Sequence, residues 1–120
     1  MLTAVEFPLW PEGHRHAFVE YARRKGDFAI VGVAVLLDIN TQSIITRAAI
    51  AIGGCAATPL RLREIERTLT GQPAMPDVCQ AAARLAANID AQGDVHVTAD
   101  YRKHLARVLT GRALLQAIAP

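Results

Sequence analysis

Four histidines, two cysteines and one pair of adjacent glycines are the residues of this chain with the most chemistry to offer. Their spacing argues against most of it. His14 and His16 form an HxH pair, but on the helix expected there residues two apart do not share a face. No Cys or acidic cluster stands nearby to complete a zinc site, so both read as solvated histidines and no metal site is expected. His96 falls in a turn, and His104 lies one helical turn after Tyr101. No serine or cysteine is spaced to pair with either as nucleophile and base. Gly53-Gly54 lacks the further glycines of a dinucleotide fingerprint and the Gly-Lys-Ser/Thr of a phosphate loop. Its expected role is a sharp turn or a close backbone approach. Arg61, Arg63, Glu64, Glu66 and Arg67 read as a solvated helix face laced with weak ion pairs. Asp100 to Arg107 reads as an amphipathic helix with a basic face. No catalytic residue is expected in this chain.

The elements that position these residues belong to one domain, since 120 residues suffice for a single core. Hydrophobic residues make up 52% and charged residues 20%, the balance of a globular rather than a disordered chain. With aromatics at 5%, Ala, Leu, Val and Ile must build the core. A net charge of +2, spread along several segments without aromatic platforms, argues against nucleic acid as a partner. The longest apolar run, Phe28 to Leu37, is far shorter than the ~20 residues of a membrane span. Cys55 and Cys79 form no CxxC, and no signal peptide is evident; we expect reduced thiols and a cytoplasmic protein. Sequence separation alone does not decide whether the two could pair.

Leu2 to Phe7 alternates and stops at Pro8, so a short strand is expected. Pro11-Glu12-Gly13 is expected to open a helix to about Lys25, with Ala17, Phe18, Tyr21 and Ala22 on one face. Arg23, Arg24 and Lys25 would then sit at its C-terminus, where cations are favoured, and Gly26 would terminate it. Phe28 to Ile39 and Ile44 to Ile52 read as an antiparallel hairpin joined by Asn40-Thr41-Gln42-Ser43. In the second strand Ile44, Thr46, Ala48, Ile50 and Ile52 are expected on one side. Helices are expected over Arg61 to Thr70, from Pro76 to about Ala91, and after the N-cap Thr98 to about Ile118. The predicted order is strand-helix-strand-strand-helix-helix-helix. That is an α+β fold with an antiparallel three-stranded sheet packed against helices.

Four segments together resemble the C-terminal domain of the FAD-binding medium subunit of molybdenum hydroxylases, with the aerobic carbon monoxide dehydrogenase branch nearer than xanthine dehydrogenase. They are LTAVEFP (Leu2 to Pro8), ARRKGDFAIVGVAV (Ala22 to Val35), IAIGGCAATPLRL (Ile50 to Leu62) and DYRKHLARVLTGRAL (Asp100 to Leu114). The resemblance spans nearly the whole of residues 1–120 and implies oxidoreductase chemistry for a complete assembly. There, electrons would pass from a molybdopterin subunit through 2Fe–2S clusters of a small subunit to FAD. This domain would close the flavin site and dock the FAD-binding domains, the 2Fe–2S subunit and the molybdopterin subunit. By the same resemblance Leu2 and the Arg23-Arg24-Lys25-Gly26-Asp27 turn lie nearest the flavin, where a positive turn would favour its reduced, anionic form. The glycine-rich FAD segments of the family are absent, so no tight FAD binding by this chain alone is expected. Val19 stands where the xanthine dehydrogenase branch carries a cofactor-reaching lysine. The alternative is a free-standing, repurposed domain, either a small-molecule binding protein or a cofactor-independent biosynthetic enzyme. Its pocket would use His14, His16 or Tyr101. A homodimer covering exposed sheet or helix surface is a third reading.

Overall fold

Alternating β-branched residues dominate the middle of the chain, and they set the architecture. In a computed structural model describing residues 1–120, strand β1 spans Arg15–Ala22, β2 Ala29–Ile39, β3 Ile45–Gly53 and β4 Leu60–Arg61. They form one antiparallel sheet in the order β1-β2-β3-β4. Helices α1 (Arg63–Leu69), α2 (Pro76–Ala83) and α3 (Ala99–Ile118) follow, with a 3-10 segment over Arg84–Asn88 extending α2. The sheet therefore has four strands rather than three, the extra one being the two-residue β4.

Two expected elements are corrected. The helix expected from Pro11 to Lys25 is strand β1, because Ala17, Val19 and Tyr21 also alternate with period two. Each faces a valine across the ladder: Val35, Val33 and Val31. Pairing with β2 decides between the two periods. Pro11 instead opens a turn, closed by the His14 amide donating to the Pro11 carbonyl at 3.2 Å, with Gly13 at φ +83°. Arg23, Arg24 and Lys25 consequently do not end a helix. They enter the β1–β2 hairpin turn, in which the Asp27 amide donates to the Arg24 carbonyl at 3.1 Å and Gly26 takes φ +85°. Leu2 to Phe7 forms no strand: none of the backbone groups of residues 1–10 is hydrogen-bonded within the chain. A strand exists only beside a neighbour, and the segment has none here.

One side of the sheet carries Val31, Val33, Val35, Leu37, Ile50 and Ile52, all at most 1% exposed. Leu109 and Leu114 of α3 and Ile65 and Leu69 of α1 join them in one core. The expected facing of β3 holds for Ala48, Ile50 and Ile52 but reverses earlier. Asp38 faces Arg47 while Ile39 faces Ile45, so Thr46 is an extra, bulged residue and Ile45, not Ile44, enters the core. The Thr46 hydroxyl donates to the Asp38 carbonyl at 3.1 Å. Gly54 meets the expectation of close approach: at φ +90°, any Cβ there would lie 2.2 Å from the Ile30 carbonyl oxygen. Thr98 caps α3 as expected, its hydroxyl accepting from the Tyr101 amide at 3.1 Å. Cys55 and Cys79 are separate, buried thiols, and burial raises both pKa values.

Candidate functional site

The second side of the sheet follows from the register. Phe18 faces Ala34 and Ala34 faces Ala51; His16 faces Leu36 and Leu36 faces Ala49; Glu20 faces Gly32 and Gly32 faces Gly53. Side chains opposite one another share a face, so β1 to β3 present three parallel rows away from the helices. The rows on β2 and β3 are mostly Ala and Gly. No helix covers them. Phe18, 62% exposed, lies across Gly32, with its ring 3.5 Å from where a Cβ would stand. Two shallow, open depressions occupy this face. One, of about 300 Å³, lies between Phe18, Gly32, Gly54 and Pro59. The other, of about 260 Å³, lies between Trp10, Leu36, Ala49 and Arg61.

Trp10, from outside the sheet, reaches this face and lines the second depression. The Arg47 guanidinium sits 4.1 Å from its ring centroid, a cation–π contact. His14 lies 6.1 Å from the same ring and 6.0 Å from His16. The two histidines are neighbours because His16 lies on a strand and His14 just before it, contrary to the helical expectation. The His14 Nδ1 is 3.0 Å from the Pro11 carbonyl, so this ring is engaged in the turn. No cluster of three or more His, Cys, Asp or Glu gathers to hold a metal.

The Arg23-Arg24-Lys25-Gly26-Asp27 turn is fully on the surface. Arg23 Nη1 stands 3.3 Å from His96 Nδ1, the Asp27 carboxylate accepts from the Phe28 amide, and Phe28 is 94% exposed. Leu2 is also exposed, in the unpaired N-terminal segment. Tyr101 lies elsewhere, on the first turn of α3. Its hydroxyl engages Tyr21, which together with burial raises its pKa, and its ring stacks on His104 at 6.3 Å. Tyr21 belongs to the helix side of the sheet, whereas His16 belongs to the other side. His14, His16 and Tyr101 therefore do not converge, and none of them lines a cavity.

Two supporting groups escape sequence reasoning. Glu66, expected in a solvated face, is buried, and its carboxylate accepts from the Ile50 amide at 2.8 Å and from Arg61 Nε at 2.7 Å. Burial alone would raise its pKa; the Arg61 hydrogen bond, the Ile50 amide and the charges of Arg61 and Arg63 outweigh this and lower it. Glu66 thereby ties α1 to β3 and holds Arg61 beside the open face. Arg102 does the same for the loop before α3, donating to the Gln92 carbonyl at 2.6 Å and to the Asp94 carboxylate at 2.7 Å. That bond, with the His96 and Val97 amides, lowers the Asp94 pKa to about 2. The ion pairs of Glu66 with Arg61 and Arg63 fit the expected charged face. Its burial does not follow from spacing, because the Ile50 amide it accepts from lies on β3. Asp94 stands in a loop with no periodicity to mark it. The assembled face offers apolar surface, two shallow depressions and the positive charges of Arg47 and Arg61.

The family described as the CO dehydrogenase flavoprotein C-terminal domain matches residues 16–117. The 6-hydroxypseudooxynicotine dehydrogenase complex subunit alpha of Paenarthrobacter nicotinovorans is 32% identical over 119 residues, 98% of this chain and 40% of that protein. The carbon monoxide dehydrogenase medium chain of Afipia carboxidovorans is 33% identical over 120 residues, covering 99% and 41%. A solved structure of reconstituted CO dehydrogenase from Oligotropha carboxidovorans superposes with a TM-score of 0.84 at 30% identity, covering 98% of this chain and 44% of that one. The chain thus spans about two-fifths of the length of the curated relatives it matches.

Proposed function

The chain belongs to the CO dehydrogenase flavoprotein C-terminal domain family, and from that premise we propose that it serves as the C-terminal domain of an FAD-containing medium subunit of a molybdenum hydroxylase. Its role is to close the flavin site and to dock the FAD-binding domains, with the 2Fe–2S and molybdopterin subunits as further partners in a cytoplasmic complex. The observation that carries this reading is the uncovered, small-residue apolar face of the sheet, which suits close contact with another folded body. Catalysis then belongs to the assembly. No helix of the chain is long and apolar enough to cross a membrane.

The residues fit the flavin as a wall and not as a cradle, because every depression on the chain is shallow and open. When bound in the complete subunit, FAD would supply the electron-accepting chemistry. Leu2 and the Arg23-Arg24-Lys25-Gly26-Asp27 turn are the groups of this chain nearest to it in our reading. The turn contributes positive charge, which raises the potential of a group that gains electrons. Exchanging Arg23 and Arg24 for Gln in the assembled subunit should therefore lower the flavin reduction potential; an unchanged potential would remove the turn from the site.

The reading as a whole is tested by the native size of the chain in extract of its source cells, followed with an antibody. We expect it in a large complex that co-migrates with flavin. A native species near 12.9 kDa without flavin would favour the free-standing domain instead.

A further inference from the structure

The two edges of the sheet are finished differently. At one, β4 is only two residues long, and the Glu66 carboxylate occupies the Ile50 amide beside it. At the other, β1 runs for eight residues from Arg15 to Ala22. It has no Pro, no Lys and no bulge before Tyr21, the devices that keep strand edges apart. The Ile50 carbonyl accepts from Leu62 on the β4 side. Alternation through the register then turns the amides and carbonyls of His16, Phe18 and Glu20 outward from β1. No group of the chain hydrogen-bonds to them, and all three side chains are exposed.

We infer that β1 pairs antiparallel with β1 of a second copy of this chain, about a two-fold axis through Phe18. In that register the Phe18 amide and carbonyl of each copy exchange hydrogen bonds with those of the other, and the two rings lie side by side. His16 stands opposite Glu20 of the second copy, and Glu20 opposite its His16, so imidazole and carboxylate meet twice. Ala17 faces Val19 of the second copy on the helix-covered side. Sliding the strands by two residues opposes Phe18 to His16 or to Glu20 and breaks both pairs. Sliding by one sets outward backbone groups against inward ones.

The helices independently select the same axis. α3 lies along β1, with the Tyr101 hydroxyl at Tyr21 and the Ala119 carbonyl accepting from Arg15, and it packs over both β1 and β2. With strands about 4.8 Å apart, the α3 axes of the two copies stand roughly 10 Å apart, the spacing of packed helices. Tyr101, Val108 and Leu115 recur every seven residues on the stripe that reaches β1, and none of them is fully buried. Val108 lies about 10 Å along α3 from Tyr101, as Phe18 lies about 10 Å along β1 from Tyr21. The axis through Phe18 thus brings Val108 against Val108 of the second copy and Tyr101 against its Leu115. The rows of Ala34 and Ala51 stay uncovered, so the inference does not depend on the functional reading above.

Sedimentation velocity of the 120-residue chain over a range of concentrations tests this pairing. A monomer–dimer equilibrium is expected. Phe18→Pro removes only an outward amide, which an edge strand tolerates. It should abolish the dimer while amide hydrogen exchange shows the β1–β2 ladder intact. His16→Glu opposes carboxylates twice across the axis and should weaken association roughly tenfold. Adding Glu20→Lys should restore it, although residues 16 and 20 of one chain stand about 13 Å apart along the strand, too far to interact. That charge exchange decides the matter even if Phe18→Pro does not fold. A double variant no tighter than His16→Glu alone, or a dimer that survives Phe18→Pro, overturns the inference. So does a chain that stays monomeric at every concentration, which leaves the edge to a different partner.

Discussion

The two faces of the sheet are both apolar, yet they are built from different residues. The helix-covered face uses Val31, Val33, Val35, Leu37, Ile50 and Ile52, all nearly or fully buried, and α3 packs across it. The open face uses Ala34, Ala49, Ala51, Gly32 and Gly53, with Phe18 and Trp10 at its margins. Volume distinguishes the two. Branched side chains fill the space between a sheet and a helix, whereas Ala and Gly leave a low surface that another backbone can approach closely. The first face holds the chain together; the second is available to hold something else.

Neighbouring residues on β3 offer the sharpest way to break that contrast. Ile50→Ala should cost about 2–5 kcal/mol by leaving a cavity in the core, read as a lowered urea midpoint. Ala51→Glu, one residue on and pointing the other way, should change the stability of the isolated chain by less than about 0.5 kcal/mol while preventing assembly with flavin-binding domains. Equal losses of stability would mean that the faces do not differ. Next in size is Glu66→Gln, which should cost about 1–3 kcal/mol because the buried Ile50 amide and Arg61 lose a charged acceptor. Its lowered pKa also fixes a sign. Stability from ionised Glu66 is present above its ordinary value of 4.5 and is lost as pH falls through the lower folded value. Glu66→Gln should therefore flatten the acid limb of the stability profile, and an unaltered limb would show the carboxylate to be uncharged. The smallest effect concerns neither face. Ser43 holds φ 61° in the β2–β3 turn, so Ser43→Gly should stabilise by less than about 1 kcal/mol, visible as a slight rise in melting temperature.

The contrast itself follows from the strand register, while the elements that carry it are legible in the sequence only in part, and the gaps have physical causes. The β2–β3 hairpin, the Thr98 cap and the starts of α2 and α3 are set by local chemistry and are readable. Arg61, expected to open a helix, instead pairs with Ala51 in β4, and the helix expected to reach Ala91 ends at Ala83 with a 3-10 turn to Asn88. Strand β1 is not readable, because Ala17, Phe18, Tyr21 and Ala22 satisfy a helical stripe while Ala17, Val19 and Tyr21 satisfy a strand. Only the valines of β2 break the tie. The error carried over to His14 and His16, whose relation depends on which period is real. The Thr46 bulge hid the reversal at Ile45 for a similar reason, since one extra residue inverts every facing before it. Glu66 looked like any surface acid because its partner amide belongs to Ile50, on another element. Arg23 to Asp27 stood out as a cationic turn from the start, although the structure sets it in a hairpin rather than at a helix end.

The contact between Trp10 and Arg47 has one more consequence. Trp10 is the sole tryptophan of the chain, and it sits half-buried at the margin of the open face under a guanidinium. The indole is therefore a built-in optical reporter. Its emission should shift to the blue as solvent leaves the surface around it, and a nearby flavin should quench it. Binding at that face could then be followed by fluorescence in real time, without any label.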